Sequence, residues 1–521
     1  DLPYPEGVAA AEVLKVGSRA GEGAEENQRG LRTILLGSLI SAGFSLLGAM
    51  KLAALEVSKN FKLGAGATGV SGSLSFALIG VGHLVGLSVG VAMFIGMVIA
   101  WAGLMPALTA AQGLTGPVDD VVGMVFSQQV RFIGAGTIGV AALWTLLKIV
   151  GPIVKGIKGS IASSRARGAG EVVELGERDL SFGIVAGTIL GSLIPIAGLL
   201  WFFAQGGPIA ANAVGVIFAT LLFVLFVGAI IAAVTGYMAG LIGASNSPVS
   251  GVGILAIIAA SLMLLLFFGR NHSEADTAAL VAYALFTTAI VFSVATISND
   301  NLQDLKTGQL VGATPWKQQL ALVIGVGFGS LIIPPVLDLL NQAFGFAGAA
   351  GAGANALPAP QAALISALAK GVLGGDLRWD LIGYGALIGA AIIAADEILG
   401  RMGKLRLPPL GVGMGIYLPM SLTLLIPIGA VIGHFWEKHA ERSARPEFYS
   451  RMGVLLATGF IVGESIFGVL FAGVVAGSGS DAPLALVGEG FEPTAILVGL
   501  SLFVALIAYS YRRTRRATES V

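Results

Sequence analysis

The stretch that decides the fold class is Ala211–Tyr237, which reads ANAVGVIFATLLFVLFVGAIIAAVTGY. It contains no charged side chain and exceeds the roughly 20 mainly apolar residues that an α-helix needs to cross the hydrocarbon core of a bilayer. The segment therefore predicts a transmembrane helix.

The composition of the whole chain agrees with this prediction. Hydrophobic residues make up 55% of the 521 positions and charged residues only 12%, with a mean hydropathy of +0.87. So few polar side chains could not cover a water-soluble surface, and we therefore predict an all-α polytopic membrane protein. Gly, at 76 residues, recurs inside the apolar runs, where small residues let transmembrane helices pack closely.

Charge and cysteine content exclude several functional classes. The formal net charge is zero, so no nucleic-acid partner is indicated. The chain has no cysteine, which excludes disulfides, thiolate metal sites and thiol catalysis, and its four histidines lack the spacing of a metal site. We therefore expect no cofactor and no metal centre.

Apolar runs of transmembrane length recur along the chain and predict about 11 full spans. They are Leu31–Met50, Leu84–Pro106, Arg131–Gly151, Gly183–Phe203, Ala211–Tyr237, Val249–Phe268, Ala278–Ile297, Leu320–Leu340, Leu381–Leu399, Gly453–Val475 and Pro493–Tyr509. Two further apolar stretches, Gly69–Gly82 and Leu410–Gly433, are interrupted by Gly or Pro. They predict two broken, re-entrant hairpins, over 69–106 and 408–433.

Lys and Arg in short loops predict the orientation, because cytoplasmic loops are enriched in these residues. The basic segment Lys155–Arg167 and the Arg-rich tail Arg512–Arg516 should both be cytoplasmic. Counting the spans between them satisfies both placements only if Leu410–Gly433 enters and leaves the membrane on the same side. The C-terminus is therefore expected in the cytoplasm.

The spans and loops divide the chain into segments. They are a polar N-terminal segment (1–30), a first set of repeat-like helices (31–151), a cytoplasmic loop (152–182), central helices (183–340) with a cytoplasmic loop at 298–319, an external loop (341–380), a second set of repeat-like helices (381–511) and a basic tail (512–521).

An internal repeat relates the two interrupted stretches. Ser75–Ile99 aligns without a gap over Pro408–Ile432, and Phe132–Leu147 aligns over Leu455–Leu470. By the charge argument the two copies run in opposite directions. Inverted repeats with broken helices place a substrate site near the bilayer midplane, where free backbone groups face the solute. Gly-rich packing helices without any site are the alternative interpretation.

The repeat and one polar interruption supply the candidate substrate-binding residues. The interruption, Gly243–Ser250, contains side chains that can cap the next helix, whose amides would face an anionic group, although a plain turn would look the same. The candidates are Gly80, Gly82, Ser88, Asn246, Ser247, Gly413, Gly415, Tyr417 and Ser421.

Two ionisable residues are candidates for proton coupling, because charged groups inside a membrane are costly and usually functional. Glu464 lies mid-span among small residues, although it could be a structural carboxyl bonded to a neighbouring helix. His83 lies at the break of the first hairpin and titrates near neutral pH when exposed, although a lone His is often a packing residue. Helix capping or snorkelling better explains Asp338, Asp396 and Glu397.

The most polar stretch between strong spans is Asn299–Gln319. A loop so dense in charges could gate a pathway, or it could be a solvated connector. The candidate gating residues are Asn299, Asp300, Asn301, Asp304 and Lys306.

At these residues the chain resembles the prokaryotic branch of the oligopeptide transporter family. The resemblance rests on Pro3–Gly7 (PYPEG) with Ala11–Leu14, on Gly240–Gly251, on the Asn299–Gln319 segment and on Gly415–Pro419. The family has further helices ahead of its PYPEG segment, which this chain is expected to lack. The resemblance implies proton-coupled uptake of short peptides across the prokaryotic inner membrane or, as in the plant branch, transport of metal chelates.

The expected function is therefore secondary active transport by alternating access, with a short peptide or a metal chelate, protons and the lipid bilayer as partners. The chain is not expected to be an enzyme. A passive channel is less favoured because no ring of filter residues is evident. An intramembrane hydrolase is less favoured because the chain has no H-E-x-x-H motif and no Ser in a G-x-S-x-G turn with a plausible His partner. An ATP-driven pump would need a Walker-type phosphate loop, which the chain lacks.

Overall fold

The computed structural model describes residues 4, 7, 10–11, 14 and 24–519, except 146, 149–150, 152–174, 243, 245–248, 271, 347–355, 358, 376–377, 479 and 481. Among these residues, ten helices are long and apolar enough to cross a membrane. The prediction of an all-α polytopic membrane protein is confirmed.

The helices and strands are numbered in chain order. The first part of the chain contains α1 (Ala24–Ala49), β1 (Glu56–Leu63), β2 (Gly66–Ser73), α2 (Phe76–Val98), a π-helical turn (Ile99–Leu104), α3 (Met105–Gln112), α4 (Val118–Val125), a second π-helical turn (Phe126–Val130) and α5 (131–145). The middle part contains a 3₁₀ turn (Leu175–Glu177), α6 (Phe182–Phe203), a second 3₁₀ turn (Gly207–Asn212), α7 (Ala213–Ile242), α8 (Val249–Phe268), α9 (Glu274–Val311), α10 (Pro315–Phe344) and α11 (Pro360–Gly374). The last part contains α12 (Trp379–Arg401), α13 (Pro409–Tyr417), α14 (Met420–Thr423), α15 (Leu425–Ala440), α16 (Pro446–Ser478), a third 3₁₀ turn (Glu489–Phe491) and α17 (Glu492–Glu519).

The chain divides into two compact units. Unit 1 comprises Asp1–Ser18, Ala141–Ser330 and Ala359–Trp379. Unit 2 comprises Arg19–Val140, Leu331–Pro358 and Asp380–Val521, and it contains both of the predicted hairpins.

Hairpin 1 is α2, whose direction reverses at Gly86. This residue has φ +81° and ψ 169°, a backbone conformation that favours glycine. Gly82 and Gly90, on either side of it, both face Ala430, because a Cβ atom added to either glycine would strike atoms of that residue. A continuous helix would separate these two positions by about 12 Å along its axis. The break divides hairpin 1 into a first arm (76–85) and a second arm (87–98).

Hairpin 2 consists of α13, the single turn α14, and α15. The helix α13 ends at Tyr417 because Leu418 is extended and is followed by Pro419, which cannot donate to the preceding turn. The predicted break at Pro419 is therefore present. Pro427 does not reverse the chain, because Leu424 between α14 and α15 is helical and the helical run continues past Pro427 to Ala440.

The two hairpins pack arm against arm. The first arm of hairpin 1 runs parallel to α15, and its second arm runs parallel to α13. The contacts are Ile79–Gly429 and His83–Gly433 along the first pair of arms, and Ala92–Gly411 and Gly96–Gly415 along the second pair. Because hairpin 1 reverses direction, its first arm is antiparallel to α13, the first arm of hairpin 2.

These contacts reproduce the gapless alignment of the two sequences. A Cβ added to Gly82 would lie 2.8 Å from the Cα of Gly429, and one added to Gly415 would lie 3.0 Å from the Cα of Gly96. The alignment equates Gly82 with Gly415 and Gly96 with Gly429, so a two-fold rotation exchanges the two contacts. Since the exchanged arms run in opposite directions, the hairpins form an inverted repeat within unit 2.

The inverted repeat also includes α1 and α12, an equivalence that the sequence analysis missed. A Cβ added to Gly459 in α16 would lie 3.1 Å from the Cα of Gly37 in α1. One added to Gly136 in α5 would lie 3.0 Å from the Cα of Ile382 in α12. Because the alignment equates Gly136 with Gly459, α1 and α12 occupy equivalent places in the two copies.

The strands β1 and β2 form an antiparallel hairpin that the sequence analysis did not predict. Residues 69–73, assigned above to the first re-entrant hairpin, belong to β2, and hairpin 1 begins only at Phe76. The apolar and Gly-rich composition of this stretch predicts a membrane segment. In the structure its backbone is paired in the β-sheet, and the buried amide of Ala67 donates to Thr109 Oγ1 at 2.7 Å.

Two predicted loops are wrong. The loop at 298–319 is helical for most of its length, because α9 continues to Val311 and α10 starts at Pro315. Its polar residues follow a helical spacing, and Asn299 and Gln303 face inward, which the overall polarity concealed. The predicted external loop 341–380 contains α11, a helix too short for the span criterion used to predict the spans.

Candidate functional site

The four candidate glycines of the hairpins lie at helix crossings. Gly82 and Gly415 form the contacts that exchange under the two-fold rotation, as described above. A Cβ added to Gly80 would lie 2.5 Å from the carbonyl oxygen of Ala457, and one added to Gly413 would lie 2.7 Å from the side chain of Ile138. All four are buried and leave no room for even a methyl group, so they pack against neighbouring helices, and a role in substrate binding stays a prediction.

The candidate serines lie just after the breaks, at the tips of the two hairpins. Ser88 and Ser421 are equivalent in the repeat, and both are half-buried. The hydroxyl of Ser88 donates to the carbonyl oxygen of Arg406 at 2.8 Å. The tip of hairpin 1 therefore contacts the chain just before hairpin 2 begins.

The tip of hairpin 2 reaches the corresponding place before hairpin 1. The backbone N–H of Ser71 in β2 donates to the sulfur of Met420 at 3.3 Å. A Cβ added to Gly72 would also lie 3.3 Å from Leu424. Each hairpin tip therefore contacts the short segment that precedes the other hairpin: Arg406 before hairpin 2, and Ser71 and Gly72 before hairpin 1. These two segments are called the entrances of the hairpins, and they lie at opposite ends of the inverted repeat.

Tyr417, the last residue before the break of hairpin 2, contacts a cation that the sequence analysis did not single out. Nη2 of Arg131 donates to the Tyr417 hydroxyl at 2.6 Å, and the guanidinium lies 4.8 Å from the centre of the phenol ring. Arg131 is the first residue of α5. The sequence analysis took it only as the boundary of a span, although a cation at such an end can equally face a site.

Glu464 is hydrogen-bonded to the start of hairpin 1. Its carboxylate accepts from the hydroxyl of Ser75 at 2.6 Å and from the backbone N–H of Ala77 at 3.0 Å. Ser75 is the N-cap of the first arm, and its hydroxyl also accepts from the amide of Leu78 at 3.1 Å. The carboxylate thus satisfies a free amide at a helix N-terminus, where the helix dipole favours negative charge.

Asp396 holds the start of hairpin 2 in a similar way. It is 5% exposed and accepts from the backbone N–H of Leu407 at 2.8 Å. It also accepts two N–H groups of Arg406, one of them at 2.8 Å, in a bidentate ion pair. This bond raises the pKa of Arg406 above its ordinary value. The sequence predicts helix capping or snorkelling for Asp396; in the structure it instead bonds the amide of Leu407, which lies before the N-cap residue of α13, and the guanidinium of Arg406.

His83 lies in a buried aromatic cluster of unit 2. Its Nδ1 lies 2.9 Å from the hydroxyl of Tyr511, and the two rings are stacked. Its Nε2 is buried and has no hydrogen-bond partner among the described residues. A Cβ added to Gly453 would lie 2.9 Å from that nitrogen. His83 is therefore a packing residue with one unused nitrogen, and a role in proton transfer stays a prediction.

Unit 1 contains the remaining candidates. Asn246 and Ser247 lie outside the described residues, but the amide of Asn299 donates to the carbonyl oxygen of Ala244 at the edge of that segment, at 3.2 Å. Asp300 and Asp304 are exposed on α9. The other candidate gating residues, Asn301 and Lys306, are half-buried on the same helix, and the gating role of the whole set stays a prediction.

Gln303 is a buried residue of α9 that the sequence analysis did not single out. Its Oε1 accepts from the backbone N–H of Gly7 at 2.7 Å, and its Nε2 donates to the carbonyl oxygen of Ala239 at 2.7 Å. The hydroxyl of Thr307, one turn further along, donates to the carbonyl oxygen of Gly7 at 2.9 Å. Gly7, the last residue of the PYPEG segment, is thus held by the polar face of α9, which the spacing of these residues could have revealed.

Comparison with known proteins identifies the family. The model of the OPT oligopeptide transporter protein family matches residues 1–475. A Haemophilus influenzae protein whose name proposes an oligopeptide transporter is 36% identical over the whole chain, which covers 84% of that protein. An Oryza sativa subsp. japonica protein, YSL14, whose name proposes a metal-nicotianamine transporter, is 26% identical over 89% of the chain, which covers 64% of it. The match to the family model extends over most of the sequence, and the chain therefore belongs to the oligopeptide transporter family.

Proposed function

We propose that this protein is a proton-coupled transporter of short peptides, which binds its solute beside the hairpin tips of unit 2 and works by alternating access. The observation that supports coupling is the bond between the carboxylate of Glu464 and the N-terminus of the first arm of hairpin 1. Membership of a transporter family supports transport itself. The name of the Haemophilus relative supports peptides as the substrate class.

The bonds of Glu464 suggest how a proton could act. An ionised carboxylate accepts hydrogen bonds through both oxygens, whereas a protonated one turns one oxygen into a donor. Protonation would therefore weaken one of the bonds from Ser75 and Ala77, and so loosen the first arm from α16. His83, near the other end of the same arm, is the second proton-coupling candidate because its Nε2 is buried without a partner among the described residues.

Solute contacts are proposed for the polar groups at the two tips. Ser88 and Ser421 are half-buried there, and Tyr417 with Arg131 adds a hydroxyl and a cation beside the break of hairpin 2. A guanidinium is well suited to a carboxylate, which every free peptide carries at its C-terminus.

Metal chelates are the second candidate substrate class. The names of two rice relatives, YSL14 and YSL13, propose metal-nicotianamine transporters and favour it. A chelate and a peptide both offer carboxylates and amines, so the tip residues do not discriminate between them by charge.

Uptake into proteoliposomes tests the proposal. Purified protein is reconstituted, an inward pH gradient is imposed, and uptake of labelled di- to hexapeptides is measured with unlabelled peptides or metal chelates as competitors. We expect peptides to compete and to accumulate above the external concentration until a protonophore is added. Competition by chelates alone would show that the substrates are metal chelates rather than peptides. Equilibration without accumulation would refute proton coupling.

We further propose that the protein lies in a prokaryotic inner membrane with its C-terminus in the cytoplasm. Arg512, Arg513, Arg515 and Arg516 support this orientation. A green fluorescent protein fused to the C-terminus should fluoresce, and an alkaline phosphatase fused there should be inactive. The opposite pair of results would reverse the orientation.

A further inference from the structure

The two hairpin entrances in unit 2 are built on the same plan. At each entrance a carboxylate from a neighbouring helix accepts a backbone N–H at the start of a hairpin: Glu464 at Ala77, and Asp396 at Leu407. Each entrance also contacts the tip of the other hairpin, through Ser71 in one case and Arg406 in the other. The carboxylate that holds an entrance therefore also supports the surface on which the opposite tip rests.

The two carboxylates differ in their other partners. Asp396 is paired with a guanidinium, which is charged at every physiological pH. Protonating Asp396, which is only 5% exposed, would break the bidentate pair and leave Arg406 with Glu397, at 3.3 Å, as its remaining carboxylate partner. Glu464 is bonded to the neutral hydroxyl of Ser75 and a neutral amide, so its protonation strands no charge.

We propose that the contact between the tip of hairpin 2 and the entrance of hairpin 1 is proton-sensitive. The contact between the tip of hairpin 1 and the entrance of hairpin 2 is not. Protonation of Glu464 loosens the start of hairpin 1 and the adjoining end of β2, and the tip of hairpin 2 is released. The ion pair between Asp396 and Arg406 maintains the contact between the hairpin 1 tip and the entrance of hairpin 2 at every pH. This deepens the proposed function by assigning the proton to one of the two gates, and protons would then open the pathway at one end only.

The effect of Glu464 must be distinguished from the effects of other ionisable groups on the surrounding elements. On β1, Glu56 is the register partner of Ser73, two residues before Ser75. The remaining groups on the elements packed around Glu464 are Lys59 and Lys62 on β1, His83 on α2, Arg29 and Arg32 on α1 with Lys51 after it, His434, Glu437, Lys438 and His439 on α15, Glu447, Tyr449 and Arg451 on α16, and Glu492, Tyr511 and the basic end of α17. Of these, Glu56 is the carboxylate placed best to mimic the effect, and it therefore supplies the control variant.

The absence of cysteine from the sequence permits a direct test. Single-cysteine variants Ser421→Cys, at the tip of hairpin 2, and Ser88→Cys, at the tip of hairpin 1, are labelled with a membrane-permeant maleimide in proteoliposomes between about pH 4 and pH 8, a range that includes the ordinary titration of a carboxyl group. Each rate is divided by the rate of the same variant in denaturant at the same pH. This removes the pH dependence of the thiol itself.

We expect the normalised labelling of Ser421→Cys to rise several-fold on acidification and that of Ser88→Cys to stay constant. Adding Glu464→Gln should make Ser421→Cys label fast at every pH, whereas Glu56→Gln should leave the rise intact. Adding Asp396→Asn should raise the labelling of Ser88→Cys at every pH.

A flat profile for Ser421→Cys would overturn the inference, and so would a rise that survives Glu464→Gln or disappears with Glu56→Gln. Labelling needs no substrate. Failure of peptide uptake with the labelling pattern intact would therefore reject the proposed substrate and leave the proton-sensitive gate standing. Uptake driven by protons with a flat labelling profile would do the reverse.

Discussion

The hydroxyl of Ser75 lies 2.6 Å from a carboxylate oxygen of Glu464, so a carboxyl group of α16 is bonded to the residue that caps the first arm of hairpin 1. The inverted repeat gives this contact its importance. A change at the start of one hairpin also changes the surroundings of the other hairpin's tip. Under the proposed function, protonation of Glu464 would alter access to the pathway without any rearrangement of the tightly packed glycine crossings.

Removing the cap should destabilise hairpin 1. Ser75→Ala loses both the hydrogen bond to Glu464 and the acceptor for the amide of Leu78, and loss of an N-cap costs about 0.5–2 kcal/mol. We expect a lower melting temperature in detergent. Ser501→Ala is the matched control, because that exposed hydroxyl bonds only the carbonyl oxygen of Leu497 one turn earlier. Equal melting temperatures for the two variants would contradict the assigned cap.

Glycines of the same helix should respond differently according to their contacts. A methyl group at Gly136 would strike the backbone of Ile382, whereas nothing lies within 4 Å of a Cβ at Gly139. Gly136→Ala should destabilise unit 2 by about 1–3 kcal/mol through overpacking. Gly139→Ala should be neutral or slightly stabilising, since alanine favours helices over glycine. Thermal denaturation of both variants measures the difference, and a Gly136→Ala variant as stable as wild type would contradict the α5–α12 packing.

Two neighbouring acidic residues, Asp396 and Glu397, should contribute differently to stability. Asp396→Ala leaves the buried amide of Leu407 without its acceptor, which costs about 1–3 kcal/mol. Glu397→Ala removes a partly exposed carboxylate 3.3 Å from Arg406, and such a pair contributes less than about 1 kcal/mol. Denaturation in detergent should rank Asp396→Ala well below Glu397→Ala. The reverse ranking would show that Glu397 holds hairpin 2.

The N-terminal segment of unit 1 should depend on Gln303. Gln303→Leu leaves the amide of Gly7 and the carbonyl of Ala239 unpaired, and each lost partner costs about 1–3 kcal/mol. We expect a protease to cleave the PYPEG segment faster. Gln309→Leu is the control, because Gln309 is exposed and bonds only the amine of Lys306. Equal cleavage rates would mean that other contacts hold the segment.

The membrane class and the break at Pro419 could be predicted from the sequence, because long apolar runs and Pro419 each have one structural meaning in a bilayer. The prediction for hairpin 1 placed the break at His83, but it lies three residues further along at Gly86, because the glycine that adopts a positive φ looks like the other glycines of the run. The repeat could be found because its copies align without a gap. The equivalence of α1 and α12 could not, since those helices share little beyond small residues at contacts such as Gly37 and Gly385, and only the packing of their partners reveals it.

The errors have a common physical cause. For β2 and for α9, the predictions of a membrane segment and of a loop rested on composition rather than on the periodicity of the residues. The polar stretch from Asn299 keeps a helical spacing whose inward positions bond the backbone of other segments, and a count of charges cannot detect that. The helix crossings at the candidate glycines could not be predicted for a related reason, because a glycine that frees the backbone for a solute and one that admits a neighbouring helix look the same in a sequence.

The most direct test of the central claim compares two transport modes of Glu464→Gln in proteoliposomes. Wild-type protein should accumulate a labelled peptide under an inward pH gradient and also exchange it in counterflow without a gradient. Glu464→Gln should retain exchange and lose accumulation, because the hairpins still carry solute but no longer respond to protons. Gradient-driven accumulation at the wild-type level by Glu464→Gln would contradict the account.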